Sequence, residues 1–406
     1  MAKIIPFKAV RPAPEKAAWV TCRSYDEYSP AELAAWLEFN PYSFLHIISP
    51  AYQNTQTIAL EKRFQSVKKQ YENFKADEIL VTDESPAFYV YQIKNKTQLF
   101  TGIIAGTSIE DYQENKIKKH EDTLAFRVDL FKDYLHQTHF NTEPVLITYP
   151  DNPAIHTWIN LKKKSQPFYE FATPNHEVHS LWKIDTQNEI DWLQDYFDEI
   201  PNLYIADGHH RSASASALYD QDKHLNNPNL NYFMSFLIAE SNVKIYEFNR
   251  LIKDLNGLSK DTFLAELQKH FTVIPKEQEL WKPTQKGEFG MYLNGEFYAL
   301  VYRSNTKEKE SVLANLDAQI LYDYVLQPIL GIEDLRNDER ISYLSGKQSI
   351  ASIMEKVDSG NFKVGFMLYP SDINEIKAIA DADLIMPPKS TYIEPKFRSG
   401  LVVYEL

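Results

Sequence analysis

A chain of 406 residues exceeds what one ordinary hydrophobic core supports, so two structural units are expected. With 44% hydrophobic and 13% aromatic residues it has enough apolar surface to bury, which excludes a disordered polypeptide. A formal charge of -13, from 43 basic and 56 acidic residues, opposes non-specific attraction to nucleic acid or anionic lipid, so any anion must be captured locally.

Cys22 is the single cysteine, which rules out an internal disulfide and a thiolate metal cluster built from one chain. Met1 to Val10 contains no secretory apolar stretch, and no run approaches the ~20 apolar residues of a membrane span. A cytoplasmic protein without a membrane partner is therefore expected. With 12 glycines and no internal repeat, the fold should rest on regular elements and proline-marked loops.

In chain order, Ser29-Pro30-Ala31-Glu32 predicts a helix start with a capping box, and Asn40-Pro41 predicts its end. A second amphipathic helix is expected over Leu60 to Phe74, followed by a hairpin of Ala87 to Ile93 and Leu99 to Ile104 around Asn95-Lys96. Thr107-Ser108-Ile109-Glu110 reads as another capping box, opening one charged helix through Lys116 and His120 toward Leu135. Val145 to Ile147 after Pro144 reads as a short buried strand. A helix between Ile184 and Ile200 then leads to the strand Leu203 to Ala206.

Beyond a soft boundary near Leu258, dividing 1–257 from 258–406, a helix is expected from Lys260 to Phe271. A second hairpin is expected around Asn294-Gly295, the strongest short turn signal in the chain. Helices over Leu316 to Leu326 and Ser349 to Val357, and a strand over Val364 to Leu368, complete an α/β (α+β) protein.

The chemistry centres on Asp207-Gly208-His209-His210-Arg211, between the strand and a helix-like Ser212 to Tyr219. Backbone N–H groups at a helix start point at an anion, the helix dipole favours negative charge, and Gly208 lets the backbone approach closely. Arg211 adds a fixed fork of donors, His209 and His210 add donors of adjustable charge, and Asp207 can hold Mg2+ or accept a proton. The plainer alternative is an Asp-Gly turn with solvent-facing histidines. His136 with His139, and His176 with His179, have the spacing of a helical metal pair but lack a third ligand in sequence. Walker, dinucleotide-binding, protein-kinase and Gly-x-Ser-x-Gly signatures are absent.

The Asp207 to Arg211 signature resembles that of the uncharacterised proteins numbered 1015 among domains of unknown function. The resemblance extends to Ser24-Tyr25-Asp26, Asn40-Pro41, Ile117 to Thr123, and Ile385 to Thr391 with Pro395-Lys396. The same turn is similar to the core motif of the ParB and sulfiredoxin superfamily, including its free L-serine kinases. That likeness implies a ParB/sulfiredoxin-like mixed-sheet core with an additional C-terminal α+β unit, and metal-assisted phosphoryl transfer from ATP, ADP or pyrophosphate to serine, with Mg2+ the expected cofactor.

Under that resemblance Lys118 supplies phosphate charge, His120 a donor, and Glu121 or Asp207 the acceptor of the hydroxyl proton. Asp26, Thr123, Arg250, Lys389, Ser390, Thr391 and Lys396 stand as substrate-binding or supporting residues. Sulfiredoxins carry a cysteine in this turn and this chain does not, which argues against reduction of an oxidised cysteine. Phe248-Asn249-Arg250 replaces a His-Arg pair frequent in the numbered family. The partner expected is a small molecule, with no nucleic acid and with a homo-oligomer left open. A non-catalytic nucleotide or phosphometabolite sensor and a ParB-like DNA regulator are the alternatives, the last in conflict with the acidic charge.

Overall fold

The computed structural model describes residues 2–52, 57–303 and 311–406. The chain divides into two compact units, one comprising Met1–Lys119, Thr123–Val243 and Pro395–Leu406, the other His120–Asp122 and Lys244–Glu394. This division differs from a cut at 257/258 because the strand that follows Val243 already pairs within the second unit, while the last residues rejoin the first.

The first unit contains β1 (Ile4–Ile5), β2 (Ala9–Pro12), β3 (Leu80–Thr82), β4 (Phe88–Lys94), β5 (Leu99–Ser108) and β6 (Ile117–Lys118). It continues with β7 (Phe140–Asn141), β8 (Val145–Tyr149), β9 (Tyr169–Ala172), β10 (Val178–Ile184), β11 (Leu203–Asp207) and β12 (Tyr232–Ala239). A nine-stranded sheet runs β6-β11-β8-β12-β5-β4-β10-β9, with β1 paired to β5. The sheet is mixed: β11 is parallel to β6 but antiparallel to β8, and β8 is parallel to β12. Val90, Ile103, Ile147, Ile205 and Leu237 share one buried core with Leu193, Phe197 and Leu218 from the helices Gln187–Asp198 and His209–Asp222. Alternation along each strand puts these residues on the face that the helices cover.

The Ser29 capping box forms as expected and starts the helix Pro30–Phe39. The Leu60 helix runs to Ala76 and buries Phe64, Val67, Tyr71 and Phe74 at helical spacing. The single charged helix expected from Ser108 toward Leu135 does not form. Ser108 caps only Ile109–Gln113, Asn115 turns the chain at φ 58°, and a new helix begins at Ala125. Between them Ile117, fully buried, pairs with Leu203 in the sheet, so core burial outweighs the local helical signal.

The second unit contains β13 (Lys244–Ile252), β14 (Phe271–Glu277), β15 (Glu288–Leu293), β16 (Glu296–Tyr302), β17 (Ile341–Ser345), β18 (Val364–Met367) and β19 (Thr391–Glu394). They form an antiparallel sheet in the order β14-β16-β15-β18-β13-β17, with β19 on β13. Asn294 and Gly295, at φ 53° and 83°, make the β15–β16 turn, the backbone that Asn-Gly favours. Phe263, Leu267, Leu321, Phe289, Leu300 and Phe366 form its core. The helix from Lys260 stops at Leu267 because Phe271 opens β14, and the Leu316 segment is α-helical over Asp317–Leu321 before a π-helical turn, Tyr322–Leu326.

Finally β20 (Val403–Glu405) closes a small sheet β3-β2-β20-β7 in the first unit. The fold is thus mixed α/β and α+β, and no helix among the described residues is long and apolar enough to cross a membrane.

Asp317, 8% exposed, accepts the Gly287 N–H at 2.9 Å, and burial pushes its carboxyl up to about 7. A carboxyl whose folded pKa exceeds its unfolded value binds more protons when folded, so its contribution to stability falls as pH rises. Urea unfolding should therefore show the wild-type stability, relative to Asp317→Asn, declining from about pH 4 to about pH 7. A pH-independent difference contradicts the assignment.

Candidate functional site

In β11, Ile205 lies opposite Ile147 but Asp207 lies opposite Leu146, so an extra residue bulges the strand at Ala206. A bulge re-aims the side chain that follows it. Gly208 comes next, at φ 98°, and the helix His209–Asp222 starts immediately after it. A side chain at 208 would meet steric resistance twice: the left-handed backbone disfavours it, and its Cβ would stand 2.9 Å from Arg211 Nε and Nη2. The absence of a side chain is what lets the guanidinium lie over the turn. Gly208 also brings no capping group, and the first-turn N–H groups have no intrahelical acceptor, the arrangement that favours an anion.

Arg211 is held on two sides. Its Nη2 donates to Asp207 Oδ2 at 2.9 Å and its Nη1 to Glu143 Oε2 at 2.8 Å. Its Nε is buried and has no hydrogen-bond partner among the described residues. Lys396 Nζ donates to the other oxygen of Asp207 at 2.8 Å. Glu143 Oε1 in turn accepts the hydroxyls of Ser24, at 2.8 Å, and Ser399, at 2.7 Å. Two cations and two carboxylates from three separate parts of the chain therefore meet at one turn.

Glu143 carries no motif and sequence reasoning passes over it. One signal could have found it: β8 runs antiparallel to β11, so the two residues that lead into β8 lie beside the end of β11 where Asp207 stands. The carboxyl-terminal segment supplies Lys396 and Ser399, and Arg398, 8% exposed, anchors it by donating from Nε and Nη2 to Thr21.

His209, 3% exposed, stands at the first helical position, and its carbonyl accepts from Ser212 Oγ at 3.0 Å. His210 Nε2 accepts the Leu124 N–H at 3.1 Å, so that nitrogen carries no proton and His210 helps fix the start of the helix Ala125–Thr138. Lys118 stands on β6 opposite Tyr204 of β11, and Thr123 precedes Leu124. Asp26 is exposed in the short turn Tyr25–Glu27, while its neighbour Ser24 makes the bond to Glu143.

The remaining expected residues belong to the second unit. His120 is fully buried there and its carbonyl accepts the Met386 N–H, with half-buried Glu121 beside it. Arg250 is buried on β13, Ser390 Oγ donates to the Pro387 carbonyl, and Thr391 begins β19. Asn249 has a structural role, its Oδ1 accepting the Leu368 N–H at 3.2 Å.

The histidine pairs make no helical metal site. His136 Nδ1 bonds Asp222 at 2.7 Å, His139 and His176 have left-handed backbones, and His179 Nδ1 bonds the Tyr91 hydroxyl within the sheet. Mg2+ at Asp207 would face Arg211 and Lys396, one on each carboxylate oxygen, and would have to displace one of them. The carboxylate is the right ligand type, but its present partners do not form a magnesium site.

A family model described as protein of unknown function, DUF1015, matches residues 4–319. No curated protein matches the chain in sequence. Among solved structures the chain is similar to SbnI with a C-terminal truncation from Staphylococcus aureus, at 14% identity, covering 73% of this chain and 85% of that one, with a TM-score of 0.39. It is also similar to a free serine kinase in complex with AMP, at 12% identity over 76% and 94% of the two chains, with a TM-score of 0.37. A conserved hypothetical protein from Pyrococcus furiosus matches at 12% identity over 75% and 94%, with a TM-score of 0.36. At these TM-scores the likenesses carry nothing about activity or ligand.

Gly208→Ala should destabilise the protein by about 1–2 kcal/mol through its left-handed backbone. It should also weaken binding of inorganic phosphate by displacing Arg211. Urea unfolding and a phosphate titration read the two effects, and an alanine variant with unaltered phosphate affinity contradicts the placement of Arg211.

Proposed function

Because the chain belongs to the DUF1015 family of proteins of unknown function, its chemistry has to be read from its own residues, and we propose that it is a small-molecule phosphotransferase. The observation that carries this reading is the Arg211 guanidinium lying over Gly208 at a helix start, with Lys396 on the same Asp207 carboxylate. Fixed cations and first-turn N–H groups stabilise charge on a transferring phosphoryl group, which is most of what such catalysis asks of a protein.

The donor is ATP, ADP or pyrophosphate, and the acceptor is the hydroxyl of free L-serine, as the resemblance of the Asp207 to Arg211 turn to serine-kinase turns implies. The serine oxygen attacks the terminal phosphorus, the bond to the leaving phosphate breaks, and the hydroxyl proton passes to Asp207. Arg211 and Lys396 hold Asp207 in place before the donor arrives and turn toward the phosphate oxygens when it binds. Glu143 keeps one edge of the Arg211 fork fixed, so the remaining donors face the ligand. His209 contributes through its backbone N–H, and His210 through the order it gives the neighbouring helix. Glu121 receives no step. Mg2+, when bound with a nucleotide, would neutralise phosphate charge; the residues of this chain act as described without it.

Arg211→Ala should leave the chain folded, as read by circular dichroism, and weaken pyrophosphate and ADP binding about ten- to a hundredfold, the worth of a charge-assisted hydrogen bond. Calorimetric titration measures it. Unfolding would make Arg211 a structural residue, and unchanged affinity would remove the anion site from this turn.

A further inference from the structure

The second unit holds two positive charges that no acid pairs with among the described residues. Arg250 on β13 is 2% exposed and among the largest fully buried side chains. Its Nη1 donates to the Phe248 carbonyl, its Nη2 donates to the Lys389 carbonyl at 3.3 Å, and the Tyr343 ring lies 5.7 Å away. No carboxylate among the described residues pairs with it, although burying a guanidinium without a counter-charge is costly. Burial lowers its pKa to about 10, so it is still charged near neutral pH.

Lys389 adds the second charge. It is exposed, its backbone sits in the left-handed region at φ 55°, and its ammonium lies 5.2 Å from the Phe248 ring. It forms no ion pair among the described residues. Strained non-glycine backbone of this kind concentrates at ligand sites. The nearby acids are committed elsewhere: Glu394 pairs with Lys347, and Glu247 lies 3.9 Å from Lys282. Strand alternation also puts Glu247 on the face of β13 opposite to Phe248 and Arg250.

We propose that Arg250 and Lys389 hold an oxyanion, the phosphate or carboxylate of a small molecule, at a binding site within the second unit. The N–H donors of Arg250 that the two carbonyls leave over suit the oxygens of one acidic group, and Lys389 supplies a mobile point charge at the surface. The ligand contributes the negative charge that is missing beside Arg250 and Lys389.

The test uses the intact chain carrying Arg211→Ala, so that the anion turn of the first unit does not contribute. Inorganic phosphate and, separately, succinate are titrated by calorimetry. One of the two should bind with one site per chain, which assigns the phosphate or carboxylate class. Adding Lys389→Ala should weaken that binding about tenfold without moving the thermal unfolding of the ligand-free chain. Arg250→Lys, which keeps the charge and loses the fork, should weaken it as well. The proposal is overturned if the Arg211→Ala chain binds neither anion, or if Lys389→Ala leaves the affinity unchanged. The step from wild type to Arg211→Ala reports on the first unit alone, so failure of the phosphotransferase reading is seen separately.

Discussion

The fork of Arg211 between Asp207 and Glu143, lying directly over Gly208, is the constraint on which the site depends. It requires a glycine at a positive φ, a bulge that turns Asp207, and a carboxylate two residues before β8. It also requires the chain's last segment to return to the first unit, since Lys396 and Ser399 come from there. Before a ligand arrives the charges satisfy one another. On the proposed function, an arriving phosphate exchanges carboxylate contacts for phosphate contacts, which favours a multiply charged anion over a singly charged one.

An acidic protein can bind anions in this way because the field that matters is local. A net charge of -13 repels phosphate at long range, but a half-buried guanidinium and a helix start act over a few ångströms where screening is weak. The same reasoning applies in the second unit, where Arg250 and Lys389 form a positive spot with no acid of their own among the described residues.

Features whose signal is complete within a few residues were legible in the sequence. Ser29 to Glu32 fixed a helix start, Asn294-Gly295 a hairpin, and Asp207-Gly208 the strand-to-helix turn, because each depends on local backbone preference. The two-residue strand at Ile117 was not legible, since its partner Leu203 lies far along the chain and the charged residues around it favour a helix. Glu143 was missed for a related reason. Its importance arises only when Ser24, Arg211 and Ser399 come together, and a glutamate before a proline is an ordinary loop residue. Likewise Arg250 and Lys389 could be named as candidates, but the lack of a counter-charge around them is visible only once β13 and the loop after Pro388 are paired.

The measurement that tests the central claim most directly is detection of O-phosphoserine by phosphorus NMR after incubating the purified protein with L-serine, Mg2+ and, in separate samples, ATP, ADP or pyrophosphate. The account predicts product with at least one donor and none with the Arg211→Ala variant. Silence with all three donors, or undiminished product from Arg211→Ala, would contradict it.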